Sequence, residues 1–448
     1  MKLIHLIFFC VLTSLVSAQF ALPPAYAITK YNNTSKGYYF LCAIRTDARA
    51  AKFQAAHIIL DAKGHLVYFK YFAPGLSPGN LQVHKNGQIS YYQSQTSQHI
   101  ILNNQFQKID SLSCANGYNA DGHAFEILEN GHHLILATET VKMDLSGYHK
   151  FGNNKIGGSK RANVKAGIIQ ELDEHKKPVF EWHSIKHFSF MDIDEAYLND
   201  TLNVDWMHFN ALVLDDDGNY LVSARNFNEI SKVNKLTGDI IWRFGGKKNQ
   251  FKLIADSVLF VAQHDIRKNK DGTYSLYDNG KDEKTIHSAR AKAYRLNEKK
   301  LIAETVWEYT DKPGANSYKG LGNVQCLENG NYLINYGSSN VSPVAFNVVD
   351  ANYNKVFEVQ FNDTLRSYRA FNYLNLPWQF KRPNVMVKKL NGKYLLSAES
   401  DDTSFHWSTG QNTREIEVFK NGRYQVFVPY GEGGFIGSEI IEINTFIQ

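Results

Sequence analysis

The sequence predicts an all-β protein, a β-propeller of four-stranded antiparallel blades around a central channel. Three observations predict it. Six turns of Asn-Gly or Asp-Gly type, at residues 86–87, 130–131, 217–218, 271–272, 329–330 and 391–392, each separate two apolar arms, the strongest short-range hairpin signal. Between them recurs a looser hairpin whose outer arm often ends in an aromatic, as in IIQELDEHKKPVFEW (168–182) and ISKVNKLTGDIIWRF (230–244). No stretch of useful length carries helical periodicity. Two hairpins per repeat, roughly 40–60 residues apart, is the spacing of blades.

In chain order, Met1 and Lys2 precede an apolar run over 3–16 and then Ser17-Ala18. This reads as a signal peptide over 1–18, because the run falls short of the ~20 residues a membrane span needs. The expectation is an exported protein, periplasmic or secreted, with no stable membrane insertion after leader removal. Residues 19–448 then form a single propeller domain. The strand at 38–44 leads into an outer hairpin at 57–69 without an inner hairpin of its own. It reads as a partial blade, closed by C-terminal strands such as 439–446. Further outer hairpins occupy 99–112, 293–309, 345–359 and 416–428. Six inner and seven outer hairpins leave six or seven blades open. Aromatics on the outer strands are expected to fill the wedges between blades. Two inserts, 140–167 and 184–205, are long for blade connections and read as functional lids.

Once the leader is removed, Cys42, Cys114 and Cys326 remain, an odd and widely spaced set without CxxC. That is no disulfide framework; buried small hydrophobes in strands suit Cys42 and Cys326 best. A formal net charge of +5, spread without a basic block, argues against a nucleic-acid partner.

The site follows from aligning the six sharp turns. Seven residues before each Asn or Asp stand Gly79, His123, Asn210, His264, Gly322 and Asn384. Seven after each Gly stand Ser94, Thr138, Arg225, Asn279, Gly337 and Glu399. Equivalent inner-hairpin ends converge on one mouth of the channel, and these residues are too polar for an apolar plug. In 205–227, DWMHFNALVLDDDGNYLVSARNF, the register puts Asn210 directly across from Arg225, and period two puts His208 on the face of Asn210. A single channel histidine is more often merely hydrated, but three near an Arg suit a tetrahedral oxyanion such as sulfate or phosphate. Three histidines also suit a metal. Against it stand the charge of Arg225 and the lack of a carboxylate in the aligned set near them. Asp265 follows His264 onto the other strand face, where it orients the imidazole only through a loop. No GxSxG nucleophile elbow occurs.

The segments DGHAFEILENG (121–131), 205–227, TGDIIWRFGG (237–246), AQHDIRKNKDGTYSLYDNG (262–280) and SYKGLGNVQCLENGNYLINYG (317–337) resemble the bacterial PAPS-independent aryl-sulfate sulfotransferases. The resemblance extends from about residue 57 to 380 and implies a six-bladed propeller. It further implies transfer of a sulfuryl group from an aryl sulfate ester to a phenolic acceptor, without cofactor or metal. Carried over, His264 is the nucleophile; His123, His208 and Arg225 hold the sulfuryl oxygens, with Asn210 beside them. Asn279 and Thr138, from the turn alignment, are expected to bind substrate. Attack by a neutral imidazole gives a sulfo-histidine and ping-pong kinetics. Each oxyanion donor contributes about 3–4 kcal/mol to such a step. Tyr118, Trp206, Phe209 and Phe227 are candidates to stack on aryl groups. Two features depart from the family's well-studied members: no N-terminal β-sandwich domain is expected here, and 252–261 lacks their cysteine pair. Two other readings use the same site: a hydrolase with water as acceptor, and a non-catalytic propeller that binds ligands or proteins.

Overall fold

The computed structural model describes residues 25–32, 36–44, 54–256, 258–280, 287–311, 320–337, 344–361 and 365–444. The leader expected at 1–18 lies outside the described residues. Apart from single 3-10 turns, regular structure among the described residues is all strand. None of their helices is long and apolar enough to cross a membrane.

Among the described residues six antiparallel sheets share one plan, each given from its innermost strand outward. Sheet I runs Pro78–Val83, Ile89–Gln93, Gln98–Leu102 and Lys108–Leu112. Sheet II runs Asn119–Ile127, His133–Met143, Ala162–Leu172 and Pro178–His183. Sheet III runs Phe209–Leu214, Tyr220–Ala224, Glu229–Val233 and Ile240–Gly245. Sheet IV runs His264–Lys268, Tyr274–Asp278, Arg290–Asn297 and Ile302–Tyr309. Sheet V runs Asn323–Cys326, Tyr332–Asn335, Val344–Val349 and Lys355–Phe361, with Tyr26–Tyr31 added outside.

Sheet VI is assembled from both ends of this order. Its innermost strand is Arg366–Tyr373, followed by Tyr38–Ile44, Ala56–Asp61 and Leu66–Tyr71. The partial blade is therefore closed by Arg366–Tyr373, with Tyr38 opposite Tyr373, and not by 439–446. Within that stretch Ile441–Ile443 pairs with Gly422–Tyr424 instead.

The innermost strands of sheets I to VI touch in succession, and the sixth touches the first. The circuit is closed, and the innermost strands are the sheet edges, protected around its centre. Each gap between neighbours has its own apolar filling. Leu134 and Ile169 of sheet II meet Tyr220 and Val222 of sheet III. Leu221 and Ile230 meet Leu276 and Tyr294 of sheet IV, and Leu333 and Val348 of sheet V meet Tyr39 and Ile58 of sheet VI. The outer-strand aromatics Trp182, Phe244 and Trp307 are buried in these gaps. Sheets packed face to face by interdigitated large side chains in a closed ring make a β-propeller.

The sixth sharp turn behaves differently. Its arms, Asn384–Leu390 and Lys393–Glu399, pair in the expected register with Asn384 opposite Glu399. They form a separate sheet with Glu415–Val418 outside the ring, where Leu396 and Ile416 pack against the gap between sheets VI and I. Asn384 and Glu399 thus do not reach the channel.

The inserts carry regular structure of their own. Over 140–167 the hairpin of sheet II simply continues, paired as far as Met143 and Ala162. Over 184–205 lie three 3-10 turns whose Phe188, Phe190 and Ile193 join the apolar cluster of Trp206. Cys42 and Cys114 are buried, whereas Cys326 is only half-buried.

Candidate functional site

Histidines 123, 208 and 264 come from sheets II, III and IV and meet at the centre. The ring of His123 lies 5.3 Å from that of His208 and 5.6 Å from that of His264. Local irregularities bring them there. The pairing of the innermost with the second strand slips at Asp121–Ala124, at Asn210 and at Asp265–Ile266. His208 and Asp265 have left-handed backbones, with φ of 48° and 59°. Bulges re-aim side chains, and non-glycine residues in this region are strained. The regular ladder of the sequence reading therefore fails here. Asn210 is the bulged residue and has no direct opposite, while the Arg225 amide donates to the His208 carbonyl at 3.1 Å. His208 precedes the strand, so period two does not carry its side chain to the face of Asn210.

His264 is 1% exposed. Its Nδ1 donates to the Gly322 carbonyl at 2.7 Å, which leaves Nε2 as the unprotonated nitrogen. That atom is buried without a hydrogen-bond partner among the described residues. Burial first, then the charge of Arg369 and the imidazole of His123, hold its pKa well below the usual imidazole range. The segment before it is stitched to sheet III. Gln263 Nε2 donates to Ser223 Oγ and to the Ala224 and Glu229 carbonyls, and its own carbonyl accepts from Asn210 Nδ2 at 2.7 Å.

The other two imidazoles are each backed by a carboxylate. His123 Nδ1 meets Asp121 Oδ1 at 2.5 Å, and His208 Nδ1 meets Asp205 Oδ2 at 2.5 Å. Both carboxylates stand outside the aligned set, two residues before His123 and three before His208. Burial would raise the pKa of Asp121, but the facing His123 and Lys165 hold it well below the carboxylate range. For His208, burial with the charges of His123 and Arg225 outweighs the pull of Asp205, and its pKa lies below the imidazole norm. Among the described residues no group of three His, Cys, Asp or Glu side chains is placed to hold a metal.

Arg225 opens a 3-10 turn, Arg225–Phe227. Its guanidinium lies 5.0 Å over the Tyr197 ring and donates to Asn226 Oδ1 at 2.8 Å. Asn226 in turn donates to the Asp205 carbonyl at 2.5 Å, tying Arg225 to the His208 loop. A cavity of about 30 Å³ is lined by Asp121, His123, Thr138, Lys165, Asp205 and His208, among others. Thr138 is thus at the cavity, opposite Asn119 rather than His123. Asn279 is not: its Nδ2 donates to the Ala262 and Leu321 carbonyls, so it braces the backbone on both sides of His264. Trp206 and Phe227 are buried among apolar neighbours, and Phe209 lines the cavity.

Sequence reading missed Tyr368 and Arg369, which sit on the closing strand and follow no sharp turn. The Tyr368 ring lies 5.9 Å from His264 and 6.2 Å from His123. Asp265 does not orient His264; it pairs with Arg267 and, at 3.0 Å, with Arg369. It also missed Asp121, Asp205 and Lys165. An Asp two or three residues before each histidine was the available signal for the first two.

A closed ring of antiparallel sheets with imidazoles, carboxylates and guanidinium groups at its centre defines a β-propeller with a polar central site. The chain belongs to the arylsulfotransferase (ASST) family, whose profile matches residues 77–362, more than half of its length. No curated protein matches it. Among solved structures it is similar to a protein of unknown function from Bacteroides caccae, with 11% identity, 75% of this chain and 98% of that chain covered, and a TM-score of 0.45. Virginiamycin B lyase from Staphylococcus aureus is similar at 11% identity over 84% of this chain and 97% of that one, with a TM-score of 0.37. The propeller domain of Myceliophteria thermophila Cps50 (Swd1) is similar at 9% identity over 76% and 90%, with a TM-score of 0.36. At such scores the fold rests on the strand order itself.

Proposed function

We propose that the protein moves a sulfuryl group from an aryl sulfate ester to a phenolic acceptor through a sulfo-histidine at His264. Family membership supports arylsulfotransferase activity in general. The observation that carries the finer reading is the imidazole of His264, with Nδ1 bound to Gly322 and Nε2 buried and unpartnered. Its lone pair attacks sulfur, the N–S bond forms, and the ester S–O bond breaks. The phenolate leaves and takes up a proton. The acceptor phenol then attacks the same sulfur, the N–S bond breaks, and the acceptor's proton is released. His123, His208 and Arg225 hold the sulfuryl oxygens, where charge spreads in both transition states. Asp121 and Asp205 accept the Nδ1 protons of these imidazoles, and each imidazole then holds a sulfuryl oxygen by donating from Nε2 in its cationic form. Thr138 lies within reach of the substrate at the cavity, while Asn210 and Asn279 act on the backbone around His264.

The test is incubation with a chromogenic aryl sulfate and a phenol. Release of the chromophore with a sulfated phenol as product is expected, as is a mass gain of one sulfuryl group on the peptide containing His264. His264→Ala should abolish the label. Free sulfate as sole product would make the protein a hydrolase; no label and no turnover over a range of phenols would leave a binding propeller. We also hold 1–18 to be a cleaved leader of an exported protein, which N-terminal sequencing of the mature chain tests.

A further inference from the structure

We infer that Arg369 is a positioning residue for this site, a single cation that sets the inner strands of sheets I to IV against one another and sustains the reactive state of His264. The inference rests on the reading of His264 above. Arg369 lies on the closing strand of sheet VI, beyond the residues matched by the family profile, and is 3% exposed.

Its guanidinium reaches four other sheets. Nη1 donates to Asn80 Oδ1 of sheet I at 3.0 Å and to the His123 carbonyl of sheet II at 2.5 Å. Nη2 donates to the Asn210 carbonyl of sheet III at 2.8 Å and meets Asp265 Oδ1 of sheet IV at 3.0 Å. Sheet V holds the segment from the remaining side. Asn335 Nδ2 donates to the Ser367 and Tyr368 carbonyls, and Asn323 exchanges two hydrogen bonds with Ala370. Two of the four acceptors belong to site residues themselves, and Asp265 adjoins His264. Asn80 and Asp265 both have positive φ, at 57° and 59°. A ring of acceptors at the centre of strained strands needs a planar, multi-donor cation; a lysine ammonium lacks the fork.

The same charge bears on the chemistry. His264 is faced by Arg369, His123, His208, the Tyr368 ring and the Gly322 carbonyl, with Asp265 next to it in sequence. The guanidinium and the other imidazoles oppose a proton on Nε2, and the Gly322 carbonyl holds the proton on Nδ1. A buried ion pair replaced whole by apolar side chains is commonly neutral or stabilising, so stability alone does not account for the Arg369–Asp265 pair here.

Three variants test this: R369K, R369M, and R369M/D265N, which removes both charges of the Arg369–Asp265 pair and leaves Arg267 the amide that replaces its carboxylate. Three readouts apply: rate of His264 labelling against pH, kcat and KM separately, and the His264 titration followed by imidazole NMR in the unreacted protein. The double variant is expected to fold, to lose about 10²-fold or more in labelling rate, chiefly in kcat, and to titrate His264 at higher pH than wild type. R369K keeps the charge and loses the fork, so its rate falls while the titration of His264 stays. Wild-type rate and wild-type titration in a folded R369M/D265N would overturn the inference, as would an unaltered rate in R369K. If wild type is itself inert, an upward His264 titration in the double variant still upholds the positioning role, and the reaction reading alone falls.

Discussion

The two carboxylate-backed imidazoles differ from His264 in one atomic detail, the partner of Nδ1. Asp121 and Asp205 offer a charge to that nitrogen, whereas His264 has only a neutral carbonyl. Under the proposed reaction, that difference separates the residues that hold the sulfuryl oxygens from the neutral nucleophile. Exchange of Asp205 for Asn is expected to preserve the fold, since this carboxylate is partly exposed, and to lower kcat/KM by roughly 10²-fold or more. Asp121→Asn should act alike, with steady-state kinetics on an aryl sulfate as the check; an unchanged kcat/KM in both would remove the carboxylates from the reaction. His123, His264 and Arg225 could be read from the sequence because turn spacing and family segments pointed to the same positions, whereas His208 rested on the family segment once the period-two argument failed. The carboxylates behind His123 and His208 stood two or three residues away and escaped the alignment, because it counted only one position on each arm of a hairpin.

At the scale of elements, the turn register worked in the ladders and broke at the channel. Asn384 meets Glu399 as counted, in a hairpin with no bulge, but that hairpin lies off the ring. Where strands do enter the ring, slips at Asn210 and Asp265–Ile266 turn a simple count into a poor guide to who faces whom. Sequence gives no local sign of such slips, since they arise from crowding of six strands around one axis. Gly322 shows how tight that crowding is. Its φ is +92°, and a Cβ there would stand 2.6 Å from Tyr277 Cδ1 and 2.9 Å from the Asn335 carbonyl. Gly322→Ala must shift the carbonyl that holds the His264 proton. A loss of about 1–3 kcal/mol in stability is expected, together with slower labelling; thermal unfolding and single-turnover rates check both.

For the whole molecule, histidines in the gap between sheets I and II set an acid limit. Burial first, with the charges of nearby histidines, pushes His84 down to about 3, and burial pushes His99 down to about 4 against the pull of Asp121. The unfolded chain takes up protons near 6.5 while the folded one resists, so stability falls as pH drops from 6.5 and stops falling once each folded pKa is passed. Each group contributes up to about 1.4 kcal/mol per pH unit in that window. Asp121 and Asp215 are held low, so their loss comes only below the ordinary carboxylate range. Urea denaturation at pH 7, 6 and 5 should show the decline, and His99→Gln should make it shallower; a flat profile would refute the account. Ring closure was the least legible feature of the chain at this scale. The strand Arg366–Tyr373 has neither a sharp turn nor a partner nearby in sequence, and it finds Tyr38–Ile44 only through the completed circle.

That strand brings Tyr368 and Arg369 to the centre in the same movement that fastens the circle. One strand is thus both the seam of the ring and the source of two groups at its heart, so damage to the seam is damage to the centre as well.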